Sequence, residues 1–255
     1  MNAGTKRSGV RLSRFDGSGM EAILENPIGI IGGMGPLSSQ LFYKMITEHT
    51  QAQRDQDHVN LIILSDVMVP DRTKAILSGD HDAAYHRLEE DAKFLEKSGC
   101  QAICMICNTA HFFADRLQKE LSIPLLNMVR ETARAAAHRT NFGKIGIMAT
   151  DGTVKTGLYQ KTLEAAGMEA FAPPEDIQKL VMYQIYERIK KGLPYDAQRW
   201  QDIEEAYKAA GCGSVILGCT ELSVIKVDEK LSDWYIDPME ILAEKVIRFA
   251  GKKYH

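Results

Sequence analysis

One stretch of this chain is written twice, and the repeat limits the folds open to it. Lys97-Ser98-Gly99-Cys100-Gln101-Ala102-Ile103 corresponds to Ala209-Ala210-Gly211-Cys212-Gly213-Ser214-Val215. In each copy a glycine follows a helical pattern, as a C-terminal helix cap requires, and a β-branched apolar run comes next. At the same offset from its glycine each copy reaches a second cysteine, Cys107 or Cys219, followed closely by threonine. A weaker echo lies upstream of each copy. Ile28-Gly29-Ile30-Ile31, with Tyr43 after it, matches Ile145-Gly146-Ile147-Met148, with Tyr159 after it. Both enter glycine-bearing loops, at Gly32-Gly33-Met34-Gly35 and Thr150-Asp151-Gly152-Thr153. Each half therefore reads strand, glycine loop, helix, further elements, then strand and cysteine.

The remaining pattern is α/β. Strands are predicted at Ile28–Ile31, Leu61–Ser65, Ala102–Ile106, Leu125–Leu126, Ile145–Ala149, Glu169–Phe171 and Ser214–Leu217. Helices are predicted at Leu37–Gln53, Asp80–Ser98, Thr109–Glu120, Val129–Arg139, Val154–Ala166, Glu175–Lys191, Tyr195–Ala210 and Met239–Ala250. Short apolar strands alternating with longer helices imply parallel sheets covered on both faces. The expectation is two similar parallel-sheet α/β domains related by a pseudo-twofold axis, with the site in the cleft between them. The first domain would comprise 26–127 plus 232–255, and the second 128–231. Residues 1–25 are polar and Gly/Ser-containing, and read as a flexible N-terminal extension outside the fold. Open α/β sheets bind ligands beyond the carboxyl ends of their strands. Two such sheets facing one another would bring Cys107 and Cys219 to opposite sides of one cleft.

Composition narrows the function. Thirty-one basic and 34 acidic residues give a net charge of −3, which points to neither a nucleic-acid nor a membrane partner. No apolar run approaches the roughly 20 residues of a membrane span. Five cysteines, an odd number without a secretory signal, read as free thiols in a reduced cytoplasmic protein. The seven histidines show no paired metal-ligand spacing. The Gly29–Gly35 loop misses the dinucleotide-binding spacing, and no Gly-x-Ser-x-Gly element marks a serine hydrolase.

Cysteine is suited to moving a carbon-bound proton, because its thiol ionises near neutral pH and becomes still more acidic at a helix start. Two thiols across one carbon would allow removal of a proton from one face and its return to the other. Cys100, Cys104 and Cys212 instead read as packing residues, the commonest fate of a free cysteine. Cys104-x-x-Cys107 is not read as a redox or metal pair, since residues three apart on a strand face opposite ways. His111 is read either as a residue tuning the Cys107 thiol or as a surface helix histidine.

At these residues the chain resembles the aspartate/glutamate racemase family. The resemblance rests on Cys107-Asn108-Thr109-Ala110-His111, Gly218-Cys219-Thr220-Glu221-Leu222, Gly29 to Pro36, Pro70-Asp71-Arg72-Thr73 and Ala149 to Thr153. It runs from about Ile28 to the C-terminus and is nearest the aspartate racemase branch. Glutamate racemases usually carry Asp-Ser-Gly where this chain has Gly33-Met34-Gly35, and His where it has Glu221. The resemblance implies reversible, cofactor-independent racemisation of aspartate, without pyridoxal phosphate or metal, by a homodimer. Cys107 and Cys219 would be the acid and base. Arg72 would hold the side-chain carboxylate, and Asn108, Thr109 and Ala110 would supply donors. Lys190, in preference to Lys191, would complete the grip, with Thr153 and Thr220 as further donors. Met34 would line the floor, and Glu221 would accept from the substrate ammonium or begin a helix. Glutamate or broad-specificity racemisation, a related cysteine-pair isomerase (maleate isomerase or hydantoin racemase type) and a non-catalytic dicarboxylate-binding protein are the alternatives.

Overall fold

In the computed structural model, residues 24–138 and 143–255 are described. The N-terminal extension up to residue 23, and the predicted helix end at Arg139, lie outside them. The first half builds a four-stranded parallel sheet from β1 (Ile28–Gly32), β2 (Leu61–Ser65), β3 (Ala102–Met105) and β4 (Leu125–Leu126). The second half builds another from β5 (Lys144–Ala149), β6 (Glu169–Phe171), β7 (Cys212–Gly218) and β8 (Tyr235–Ile236). The strand orders are β2-β1-β3-β4 and β6-β5-β7-β8. Each half thus places its glycine-containing strand at the centre and its cysteine-bearing strand beside it, as the repeat requires.

Both faces of each sheet are covered. On one face of the first sheet, Ile31, Ile103 and Met105 pack with α3 (Asp82–Lys97) and α4 (Ala114–Lys119) through Leu88, Leu95 and Leu117. On the other, Ile28, Ile30 and Cys104 meet α1 (Pro36–His49) and α11 (Pro238–Phe249). The second sheet packs Met148, Val215 and Leu217 against α8 (Glu175–Met182) and α9 (Ala197–Ala209). Its other face, with Ile145, Ile147 and Ile216, meets α5 (Met128–His138) and α7 (Leu158–Ala165). The return of the chain to the first sheet comes later than residue 232. Tyr235 and Ile236 still pair with Val215 and Ile216, and α11 makes the crossing.

One strand and one α-helix were absent from the sequence reading, β8 and α2 (Arg72–Ser78), and of α10 (Thr220–Asp228) only the start at Cys219 was anticipated. The predicted helix Glu175–Lys191 is real but not uniform. After α8 it widens into a π-helical turn over Tyr183–Arg188, then tightens into a 3₁₀ turn over Ile189–Lys191, ending at Gly192 with φ +68°. Such widened turns recur at functional sites. Among the described residues no helix is long and apolar enough to cross a membrane.

Gly146 explains one feature of the repeat. A Cβ there would lie 2.5 Å from the Tyr207 ring, whose hydroxyl donates to the Ile147 carbonyl at 2.7 Å. The central strand needs glycine because the Tyr207 ring packs directly against it. Gly146→Ala should lower stability by roughly 1–3 kcal/mol through overpacking. Denaturant melts would show it, and adding Tyr207→Ala should return part of the loss attributable to the clash.

Candidate active site

β3 and β7 both run toward the space between the sheets, and each delivers its cysteine there. Cys107 follows β3, and Cys219 is the N-cap of α10. Both thiols line one tight cleft, with a free volume of only about 10 Å³, together with Met34, Arg72, Asn108, Thr109, Lys190, Thr220 and Glu221. Thr73, Thr150 and Tyr186 complete the wall and were not singled out from the sequence as site residues. The other three cysteines are buried packing groups. Burial pushes the thiols of Cys100 and Cys212 up to about 11 and raises that of Cys104 further. Cys104 and Cys107 belong to the packing on opposite faces of the first sheet.

Arg72 opens α2, where the Asp71 side chain caps the helix by accepting from the Lys74 N–H at 2.8 Å. It is 9% exposed, so it is a built part of the cleft and not a solvated loop arginine. Nη1 donates to the carbonyls of Val69 and Pro70, both at 3.0 Å, and Nη2 to that of Met34 at 3.2 Å. Nε is buried without a partner. Burial opposes the charge, but Cys107, Asp71 and Tyr186 outweigh it and hold the guanidinium above its usual range.

Asn108 has its orientation set from behind. The fully buried Tyr159 donates its hydroxyl to Asn108 Oδ1, which leaves Nδ2 buried and unpartnered. The amide hydrogens are therefore the available half of that side chain. Tyr43, the matching residue of the upstream echo, is 52% exposed and has no such role. His111 proves to be neither a surface residue nor a partner of the thiol. The Met128 N–H donates to its Nε2 at 3.1 Å, so Nδ1 carries the proton and donates to the Cys107 carbonyl at 2.9 Å. It fixes the backbone at Cys107.

Two expected donors sit differently. Ala110 is fully buried and turns its methyl into the core. Thr153 lies behind the wall, its hydroxyl 2.9 Å from Thr109 Oγ1 and 3.2 Å from Thr150 Oγ1, while Thr109 and Thr150 are themselves 2.9 Å apart. This triangle of buried hydroxyls joins the two halves. Tyr186 adds a second link by donating to Asp71 Oδ2 at 3.1 Å.

Of the two candidate lysines, Lys190 reaches the cleft. Lys191 pairs with Glu187 and is 55% exposed. Lys190 Nζ donates to Glu221 Oε1 at 2.6 Å, and the Cys219 thiol donates to Glu221 Oε2 at 2.9 Å. The helix-start position of Cys219 suggested a more acidic thiol. Instead burial, then the Glu221 carboxylate, raises it well above its ordinary value, with Lys190 opposing. Desolvation of the thiolate exceeds the help from the end of a short helix.

By sequence, the Asp/Glu/Hydantoin racemase family model matches residues 31–246. The chain is 29% identical over 204 residues to the broad specificity amino-acid racemase RacX of Bacillus subtilis (strain 168), covering 78% of this chain and 86% of that protein. It is 30% identical over 145 residues to the glutamate racemase of Aquifex pyrophilus, covering 55% of this chain and 54% of that one. By structure, it superposes on Picrophilus torridus aspartate racemase with a TM-score of 0.73 and 30% identity, covering 90% of this chain and 96% of that chain. It also superposes on PH1733, an aspartate racemase homologue from Pyrococcus horikoshii OT3, with a TM-score of 0.71 and 28% identity, covering 89% and 100%.

The buried His111 gives the fold a pH dependence. Burial pushes its imidazole down to about 4 from an ordinary 6.5. The unfolded chain therefore binds the proton first, and this contribution is intact above pH 6.5 and lost as pH falls toward 4. It amounts to on the order of 3 kcal/mol. Denaturant melts of wild type should weaken across that window, and those of His111→Gln should weaken by less.

Proposed function

The chain belongs to the Asp/Glu/hydantoin racemase family, and we propose that within it this enzyme racemises aspartate with Cys107 and Cys219 as the two proton carriers. The observation that carries the reading is that two repeated strands deliver one thiol each into a single buried cleft. One thiolate would take the α-proton from one face of the substrate. The other thiol would return a proton to the opposite face.

The α-proton is far less acidic than a thiol, so the charge that develops on the α-carboxylate must be stabilised. Fixed donors in a narrow cleft meet that need, because they require no reorganisation as charge develops. Asn108 Nδ2, buried and unpartnered, is the donor at hand, whereas the hydroxyl protons of Thr109 and Thr150 are engaged in the triangle with Thr153 and that of Thr220 by Glu221 Oε2. The free Nε edge of Arg72 suits the side-chain carboxylate, since a guanidinium grips a planar carboxylate by two parallel hydrogen bonds. Lys190 is the second cation in reach. The space between the thiols must open to admit any amino acid, and a short substrate requires the least opening. A longer side chain would have to enter the adjoining cavity of about 260 Å³ beyond Met34 and Glu221. Likeness to an aspartate racemase over nearly the whole chain supports the same choice.

Enantiomer interconversion in heavy water tests this directly. L- and D-aspartate should each lose optical activity while gaining solvent deuterium at Cα. Cys107→Ser and Cys219→Ser should each lower turnover by at least about a thousandfold, because a hydroxyl is a far weaker acid than a thiol, and proton transfer is worth 10²–10⁴-fold or more. Arg72→Lys should raise KM for aspartate, since a point charge replaces the fork. Glutamate and larger amino acids assayed beside aspartate give the specificity. Turnover that survives either serine variant would remove the two-thiol mechanism.

A further inference from the structure

Glu221 stands at a junction the two-thiol scheme does not use. One carboxylate oxygen accepts from Lys190 Nζ at 2.6 Å and the other from the Cys219 thiol at 2.9 Å. The residue is 3% exposed and pressed from outside by the backbone, since a Cβ on Gly35 would lie 2.9 Å from its Oε1. A carboxylate held in this way has no freedom to turn toward solvent. The sequence makes Glu221 either a partner of the substrate ammonium or a helix start; it lies in the first turn of α10, and both its oxygens are already engaged by protein donors.

Resting on the two-thiol reading, we propose that Lys190 and Glu221 form a substrate-operated switch on Cys219, in which Glu221 takes the thiol proton when a substrate carboxylate draws Lys190 away. Lys190 lines both the cleft and the cavity beyond it, so an entering carboxylate meets its ammonium. While Lys190 is paired with Glu221, the carboxylate is stabilised as the anion and the thiol keeps its proton. Once Lys190 turns to the substrate, the Glu221 carboxylate is left beside the thiol without its counter-charge. The S–H bond of Cys219 then breaks and an O–H bond forms on Glu221, leaving thiolate and neutral carboxylic acid. The thiolate takes the α-proton, and Cys107 delivers its own proton to the other face. When product leaves, Lys190 returns to Glu221, and the carboxylic proton passes through solvent to Cys107. The charged and titratable groups facing Cys219 are Glu221, Lys190 and Cys107, with the phenols of Tyr159 and Tyr186 beyond them. Of these, only Glu221 both touches the thiol and has a partner the substrate can remove.

The scheme gives Cys219 and Glu221 one proton between them, so wild-type kcat should fall on the acid side only when a second proton neutralises the carboxylate. In Glu221→Gln the thiol must lose its proton to solvent. The acid limb of kcat should move up by about two pH units or more toward the thiol range, each unit costing tenfold in rate below it. KM should not rise, because Lys190 is released. A limb that stays in place or moves down overturns the switch, as does a rise in KM with kcat unchanged. Cys219→Ser separates this from the parent reading, since it should be silent at every pH. A second measurement needs no change at Glu221. In Cys107→Ser, with succinate binding followed by calorimetry, saturating succinate should raise the ultraviolet thiolate absorbance. Binding without that rise overturns the switch, and failure of succinate to bind counts against the dicarboxylate site itself.

Discussion

The triangle of hydroxyls at Thr109, Thr150 and Thr153 is the contact on which the site depends. Each cysteine is positioned by its own sheet, through a strand whose register is fixed by apolar residues on both faces. Neither sheet, however, determines how far its cysteine stands from the other. That distance is set where the two halves touch, partly by apolar packing of Leu41 and Ile241 on the core of the second half and, at the site itself, by polar contacts: Thr109 with Thr150 and Thr153, Tyr159 with Asn108, and Tyr186 with Asp71. A buried polar network specifies geometry more sharply than apolar packing does, because its groups are costly to leave unpaired.

Repeated folding units make the two cysteines equivalent in position but not in surroundings. Cys107 lies beside a guanidinium with an unpartnered Nε, and its backbone is fixed by a neutral histidine. Cys219 lies beside a carboxylate and caps a helix. For a racemase this difference does not favour one enantiomer overall. The equilibrium constant between enantiomers is one, so kcat/KM must be equal in the two directions. Asymmetry is expressed only in how kcat and KM are divided, and in which proton waits on which sulfur.

Sequence reading reached those features that rest on local chemistry. Glycine caps, β-branched runs and the matched cysteine offset led to seven of the eight strands and to both thiols. It missed β8, whose two residues gain their strand geometry by pairing with Val215 and Ile216. It missed α2 because Pro70-Asp71 reads as a turn, although the Asp71 side chain is what starts the helix. His111 and Tyr159 show a different limit. Their roles come from partners 17 and 51 residues away, and nothing local distinguishes a supporting histidine from a surface one. The environment of Cys219 was misjudged for the same reason. Its helix start is local and visible, whereas the burial that overrides it belongs to the closed cleft.

The Lys190–Glu221 pair is difficult to explain as a stabilising device. Glu221 has left water and Lys190, its side chain 24% exposed, has done so in part, and an ion pair removed from water commonly recovers little more than its desolvation cost, so well-packed apolar residues of similar size would serve stability as well. A pair of this kind is advantageous where the charges are needed for something else. Here one partner touches a thiol and the other lines the space a substrate would fill. A ligand carboxylate that replaced Glu221 at Lys190 would leave Glu221 beside the Cys219 thiol without its counter-charge, so the cost of the pair would be passed to that contact. An apolar substitute would make a firmer protein with no means of coupling the arrival of a carboxylate to the ionisation of Cys219.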